Sequence, residues 1–237
     1  MTACFQDNIE GAELLVQIIM NNKELRVTDV QTQYTIKNIH GRSARLDVYA
    51  TDDDGKKYNF EIQRADKGAG AKRARLNSAL IDGREIPAGL DPEELPETYV
   101  IFITERDIFK KGLPLYHIDR RVRETGELFP DEAHIIYVNS EVKDNTELGR
   151  LMWDFACKNP DDMHYKALAE RVRYFKKDEK GVQTMCKAME DRVFEEKVEI
   201  VENLLKLGKL SDKEIADSAG LEEGDVLKIK ESLYAPA

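Results

Sequence analysis

Three polar residues in the first third of the chain, Asp47, Glu61 and Gln63, have the types and spacing of a metal-ion site. Residues 45–50 and 57–63 both alternate between apolar and polar side chains, which is typical of strands with one face on a core and one in solvent. The Asp-Asp-Gly sequence between them has turn composition. The two segments predict a β-hairpin that carries all three polar residues on one face.

The length of the turn decides whether the two acids meet. A three-residue turn with its glycine in the left-handed conformation pairs Asp52 with Lys56 and sets Asp47 opposite Glu61. A two-residue turn would set Asp47 opposite Ile62 and would place a carboxylate on the apolar face. We therefore expect the three-residue turn.

Opposed residues in such a hairpin have Cα atoms about 4.5–5.5 Å apart. Two carboxylates that close repel each other by roughly 1 kcal/mol or more, which favours a cation between them. Their hard oxygen atoms suit Mg²⁺ or Mn²⁺. An ordinary hairpin with both acids in solvent is the alternative interpretation.

The sequence around and beyond the hairpin resembles the PD-(D/E)XK nuclease family transposases, also called recombination-promoting nucleases. The resemblance covers most of the chain up to about residue 195 and rests on residues 41–47 (GRSARLD), 58–64 (YNFEIQR), 73–75 (RAR), 95–105 (LPETYVIFITE), 134–139 (HIIYVN) and 151–155 (LMWDF). It implies an α/β, restriction-endonuclease-like fold, in which helices flank a mixed sheet. It also implies hydrolysis of DNA phosphodiester bonds with Mg²⁺, for which Mn²⁺ or Ca²⁺ would substitute.

The resemblance assigns a role to each candidate site residue. Asp47 and Glu61 would hold the divalent metal. The backbone carbonyl of Ile62 would be a third ligand, and Gln63 would orient the attacking water. An acid on the first helix often completes the site in the wider superfamily, and Glu10 matches that pattern, although the helix dipole alone favours a first-turn glutamate. Gln63 stands where lysine is commoner, so the metal and arginines would have to meet the transition-state charge.

Contact with DNA has to come from a local surface, because the formal net charge of the chain is −10. Residues 64–75 carry five basic side chains against one acid, directly after the second strand of the hairpin. A solvated helix face is the ordinary explanation of such a run, but its place beside the acids favours phosphate contact. The predicted DNA-binding residues are Arg64, Lys72, Arg73 and Arg75.

The remaining pattern predicts alternating helices and strands. The predicted elements are a helix from Asn8 to Asn21, a weak strand over 26–38, a helix that packs on the sheet through Leu76, Ala79, Leu80 and Gly83, a central strand over 99–103, strands over 113–118 and 133–138, a helix from Thr146 and another from about Asp161. The unbroken apolar run over 99–103 indicates a strand that is covered on both faces.

We expect a nuclease-like domain over residues 1–178 and a helical tail over 179–237. Within the tail, Ser211 to Glu214 forms a capping box, and Gly220 ends a short helix before a second one. Two such helices would suit a helix-turn-helix DNA reader. Acids at residues 222, 223 and 225 would be repelled by DNA, however, so we expect interaction with protein, including a homo-oligomer.

Composition sets the remaining limits. The 237 residues are 41% hydrophobic, which suits one α/β domain with an appendage. Three widely spaced cysteines indicate a reducing compartment, and no apolar run is long enough for a membrane span, so we expect a cytoplasmic protein without membrane contact. The sequence favours a metal-dependent endodeoxyribonuclease. A module that keeps the fold without turnover, binding DNA or protein, and a nuclease acting on RNA are the alternatives.

Overall fold

A mixed six-stranded sheet forms the centre of the fold. The structure is a computed structural model and describes residues 2–36, 44–63, 69–87, 89 and 91–234. The strands are β1 Val27–Ile36, β2 Ala44–Asp52, β3 Lys57–Gln63, β4 Thr98–Thr104, β5 Leu115–Ile118 and β6 Ala133–Asn139. Their spatial order is β1-β2-β3-β4-β6-β5, with β3, β4 and β6 parallel and the other neighbours antiparallel. The predicted α/β class with a mixed sheet is confirmed.

The hairpin of β2 and β3 has the predicted turn. The Asp52 N–H donates to the carbonyl of Lys56 at 3.2 Å, and the Lys56 N–H donates to the Asp52 carboxylate at 2.8 Å. Gly55 has a φ of 84°, a left-handed conformation that glycine adopts without steric cost. Continued by one residue, the recorded β2–β3 register places Asp47 opposite Glu61. The predicted register is therefore confirmed for the pairs from Val48–Phe60 to Thr51–Lys57.

Helices cover both faces of the hairpin, so the prediction of strands exposed on one face was wrong. Helix α1, Ile9–Met20, packs through Leu15 and its neighbours on the face that carries Val48 and Phe60. Helix α2, Ala71–Glu85, lies on the opposite face, where Glu61 is 0% exposed. The reason is topological: parallel strands need a crossover connection, and the β3–α2–β4 crossover lays its helix over the polar face.

The face by which α2 meets the sheet also differs from the prediction. The buried residues of α2 are Ala74, Asn77, Ser78 and Ile81. Leu76 is 37% exposed, and Ala79 and Gly83 are exposed as well. Small and polar residues face the sheet because polar side chains of β3 lie beneath them. Of the four residues predicted to pack on the sheet, only Leu80 contacts the core, where it is partly buried.

The helices that follow the sheet begin close to the predicted positions. Helix α3 spans Glu147–Ala156, with the Thr146 side chain accepting the N–H of Gly149 at its start. The predicted helix from about Asp161 is instead a 3₁₀ turn over Pro160–Asp162, and helix α4 spans Lys166–Lys177. A proline at the first position of the turn provides a helical φ without continuing into a longer helix.

The chain divides into two compact units, Met1–Arg173 and Tyr174–Ala237. The second unit contains helices α5 Glu179–Leu207, α6 Asp212–Ala219 and α7 Glu223–Tyr234. Its buried core includes Val201, Ile215 and Val226. The capping box at Ser211 is present, and Gly220 ends α6 in the left-handed conformation, as predicted. No helix in the part of the chain that the structure describes is long and apolar enough to cross a membrane.

Candidate metal centre

The two predicted metal ligands lie together on the face of the sheet that α2 covers. Asp47 is half-buried in β2, and Glu61 is fully buried in β3. The Ile62 N–H donates to Asp47 Oδ2 at 2.9 Å. Because Ile62 directly follows Glu61, this hydrogen bond holds the Asp47 carboxylate against β3 beside the second acid.

The two oxygen atoms of Glu61 have different surroundings. Oε2 accepts hydrogen bonds from Arg73 Nη2 at 2.9 Å and from Gln63 Nε2 at 3.3 Å. Oε1 is buried and has no hydrogen-bond partner among the described residues. Leaving a buried acceptor unsatisfied costs about 1–3 kcal/mol, and more for a charged group. A cation at Oε1 would remove that cost.

Burial raises the pKa of Glu61 to about 7. This pKa is a net result, in which the negative charge of Asp47 adds to the effect of burial, whereas the charge of Arg73, the nearby Asn59 amide and the Arg73 hydrogen bond oppose it. Glu61 is thus close to half-protonated at neutral pH in the absence of a metal. The proton and a divalent cation compete for the same carboxylate.

Two buried amides were missed in the sequence, Asn59 on β3 and Asn77 on the sheet-facing side of α2. Asn59 is 0% exposed, and neither polar atom of its side chain has a hydrogen-bond partner of ordinary geometry in the described ranges. Asn77 Nδ2 is likewise buried without a partner there. Buried polar groups are nearly always paired, so a cluster of exceptions indicates a place where water or a ligand binds. Asn59 could have been found, because it shares a strand face with Glu61; Asn77 lies on a separate element.

Gln33 lies in β1, the strand next to the one that carries Asp47. It falls between the strand pairs Thr32–Val48 and Tyr34–Leu46, which places it opposite Asp47. Its φ is 53°, and its side-chain oxygen accepts a hydrogen bond from Arg45 Nη2 at 2.6 Å. A non-glycine residue in this conformation costs roughly 1–3 kcal/mol, and such residues cluster at functional sites. The structure therefore places a strained polar residue beside the candidate ligand.

Gln63 ends β3 at the edge where the parallel strands finish. It is in register with Thr104 of β4, which is in turn in register with Asn139 of β6. In open α/β sheets, ligands bind at the carboxyl ends of the strands. Gln63 and the Ile62 carbonyl are thus at an edge where a substrate could approach.

Glu10 is not brought to this site. It is exposed in the first turn of α1, and α1 packs on the other face of the sheet. No three His, Cys, Asp or Glu side chains within the described ranges are grouped so that they could hold a metal ion. The structure thus gathers Asp47 and Glu61 without the third acid that the resemblance implies.

Of the predicted DNA-binding residues, Arg64 lies outside the residues that the structure describes. Lys72, Arg73 and Arg75 are exposed on the first turns of α2. The first turn of α2 contains no acid, and its N-cap, Gly70, has no side chain to accept a hydrogen bond from the first N–H groups. This end of the helix therefore has a positive electrostatic field.

A second basic segment at the same edge of the sheet was missed. Arg106, Lys110 and Lys111 are exposed in the loop that follows β4. The backbone N–H of Glu105 donates to the Gln63 carbonyl at 3.2 Å, which joins the start of this loop to the end of β3. The available signal was weak: three basic residues follow a central strand, but Glu105 and Asp107 are interspersed with them.

Comparison with known proteins assigns the family. The family model described as a PD-(D/E)XK nuclease family transposase matches residues 12–206, which include both acids and most of the chain. No curated protein and no solved structure matches. The paired acids on a β-hairpin followed by a parallel strand agree with that match. The chain belongs to the PD-(D/E)XK nuclease family transposases.

Proposed function

We propose that this protein is a metal-dependent endonuclease that hydrolyses DNA phosphodiester bonds, with Mg²⁺ held by Asp47 and Glu61. Family membership supports a nuclease or transposase type of function. The observation that carries the proposal is the buried Oε1 of Glu61, unpartnered among the described residues, on the strand to which Asp47 is fixed. A divalent cation there would give Oε1 of Glu61 a partner.

The donor set fits a hard divalent cation. Asp47 and Glu61 supply carboxylate oxygens, and the Ile62 carbonyl is the third candidate ligand, since hard cations prefer oxygen donors. Once bound, such a cation lowers the pKa of a water molecule and offsets the charge of the scissile phosphate. The protein positions the ligands in advance, because the Ile62 N–H already holds Asp47 at 2.9 Å.

Gln63 would orient the attacking water at the end of β3. Its amide both donates and accepts hydrogen bonds, so it can hold a water in a defined direction. It carries no charge and cannot replace the lysine that is commoner at this position. The chain must therefore supply positive charge from another element.

DNA phosphates would bind along the first turns of α2 and the loop after β4. Lys72 and Arg75 are exposed there, and the helix N-terminus adds the favourable end of the dipole. Arg106, Lys110 and Lys111 extend this basic surface at the same edge. A local surface of this kind is needed because the whole chain carries a net charge of −10.

Nicking of supercoiled plasmid tests the proposal. Wild-type protein should nick in Mg²⁺ or Mn²⁺ and stop when the metal is chelated, whereas Asp47→Asn should be inactive in both. An RNA substrate of matched length run in parallel distinguishes the two nuclease types. Cleavage that persists in Asp47→Asn, or that prefers RNA, would overturn the proposal.

A non-catalytic DNA-binding module is the second candidate, and the uncharged Gln63 is the observation that favours it. In that case the wild type would bind DNA in gel-shift assays with no cleavage in any divalent metal. Restoring the commoner residue with Gln63→Lys would then produce cleavage only if the rest of the site is intact.

A further inference from the structure

Arg73 brings a positive charge to the candidate metal centre from α2 rather than from β3. Its Nη2 lies 2.9 Å from Glu61 Oε2. The Arg73 side chain is 43% exposed, while that of Glu61 is 0% exposed. The guanidinium thus reaches a buried carboxylate from the solvent side of the site, and solvent offers it a path away.

We propose that Arg73 has two successive partners. In the metal-free protein it neutralises Glu61; when a divalent cation is bound by Asp47 and Glu61, it turns to the scissile phosphate and provides the charge that Gln63 lacks. This inference rests on the proposed function, and it assigns Arg73 the role of an exchangeable cation.

Charge balance supports an exchange rather than permanent pairing. Asp47 and Glu61 together carry at most two negative charges, which one divalent cation neutralises. An arginine held beside that cation would meet repulsion and a carboxylate already satisfied. A phosphate at the same edge offers two or three acceptor oxygens, and the planar guanidinium can bind two of them at once.

Because of its position on α2, Arg73 can change partners by moving its side chain alone. Its neighbours Lys72 and Arg75 are exposed on the same turns, so they already face the solvent from which DNA would approach. Ala74, between them, is buried and anchors this turn against the sheet. A change of the Arg73 side chain therefore needs no movement of the helix.

The exchange predicts opposite effects on metal binding and on turnover. In Arg73→Gln, Mn²⁺ should bind the DNA-free protein several-fold more tightly at a pH well above 7, because the competing cation is gone and protons no longer compete for the carboxylate. Cleavage at saturating Mn²⁺ should fall by on the order of 100-fold, as for loss of one transition-state charge donor. Isothermal titration calorimetry measures the first quantity and single-turnover plasmid nicking the second.

Lys72→Gln and Arg75→Gln are the matched controls, since each removes one positive charge from the same turns of α2. Both should leave the Mn²⁺ affinity within about twofold of wild type and weaken DNA binding instead. Arg73→Lys keeps the charge and should recover part of the cleavage. A merely structural Arg73 would instead lower both metal affinity and turnover in Arg73→Gln, and that result overturns the inference.

A measurement on the wild type keeps the test independent of how the variants fold. Phenylglyoxal modifies accessible arginines, and mass spectrometry locates the modified residue. Arg73 should react faster in Mg²⁺ than in chelator, relative to Arg84 in the same helix. Equal rates in the two conditions would contradict the exchange.

A different result would contradict the proposed function itself. That result is failure of the wild type to bind Mn²⁺, or binding of Mn²⁺ by Asp47→Asn with the affinity of wild type.

Discussion

At the scale of single residues, the two candidate ligands are like charges close together, and one of them is fully buried. Extending the β2–β3 register by one residue sets Asp47 opposite Glu61, and Glu61 is fully buried. Such an arrangement destabilises the metal-free protein and favours any state in which one charge is removed or matched. Function and stability therefore make opposite demands on these side chains.

Asp47→Asn and Glu61→Gln should each abolish metal-dependent cleavage, while the free energy of unfolding of the metal-free protein stays the same or rises. Each change deletes a ligand and also removes one member of a like-charge pair. Urea unfolding in chelator and plasmid nicking in Mg²⁺ give the two quantities. Asp54→Asn, an exposed acid in the turn of the same hairpin, should change neither. Cleavage in either site variant would remove that residue from the ligand set.

The pKa of Glu61 predicts how stability depends on pH. Because burial raises this pKa from 4.5 to about 7, the folded protein binds more protons than the unfolded chain between these values. The contribution of Glu61 is therefore fully present below about pH 4.5 and is lost as the pH rises to about 7. The stability difference between Glu61→Gln and wild type, measured in chelator, should grow in favour of the variant over that range. A difference independent of pH would show that Glu61 has an ordinary pKa.

Gln63 can be tested by adding and by removing function. Gln63→Lys should keep or raise cleavage, because an ammonium near the scissile phosphate stabilises transition-state charge. Gln63→Ala should lower cleavage several-fold, because the water loses its orienting amide. Single-turnover rates at saturating Mg²⁺ make the comparison. If the alanine variant cuts as fast as wild type, Gln63 has no part in the chemistry.

At the scale of elements, the sequence predicted what local chemistry determines. The register of Asp47 and Glu61 follows from alternation and from one glycine in the turn, both within a short stretch of chain. The cover over Glu61 does not, because it depends on where the crossover helix returns to the sheet. For the same reason, the Arg73 contact and the burial of the Asn77 amide could not be predicted: Arg73 pairs with a residue of another element, the sheet is what buries Asn77, and α2 has no apolar stripe.

The contacts of α2 also change how its DNA-binding role should be tested. Reversing the charge of Arg73 would place a carboxylate beside Glu61 and would confuse DNA binding with damage to the site. Lys72→Glu with Arg75→Glu should instead weaken DNA affinity and reduce the slope of its salt dependence by roughly one to two units. Metal affinity should stay near that of wild type.

Lys209→Glu with Lys213→Glu is the control for this pair, because it makes the same charge change in the second unit. It should leave the DNA affinity nearly unchanged, since α7 opens with Glu223 and Asp225. Gel-shift titrations at several salt concentrations measure both pairs. A larger loss from the control pair would assign DNA reading to α6 and α7.

At the scale of the whole molecule, each of the two units has its own buried core, and every proposed site residue lies in the first. Val226→Asp should therefore disrupt the fold of the second unit, because Val226 is fully buried there and an unpaired buried charge is strongly destabilising. Cleavage per molecule should persist. Limited proteolysis measures the loss of structure in the second unit, and plasmid nicking measures the activity of the first.

Leu227→Asp, at the adjacent exposed position, should affect neither unit. Loss of cleavage in Val226→Asp alone would show that the second unit contributes to catalysis. Light scattering on the same variants tests the proposed homo-oligomer, which should dissociate when the helical tail is disrupted.

The place of β3 inside the sheet has a further consequence. β3 pairs with β4 over its whole length and with β2 over Lys57–Phe60, and the Ile62 N–H is bonded to Asp47. Its amide protons should therefore exchange with deuterium only when the whole domain opens. The strand that carries Glu61 is then formed in every folded molecule and lost only when the whole domain unfolds. Destabilising substitutions elsewhere in the first unit should lower the number of active molecules and leave the turnover of each survivor unchanged.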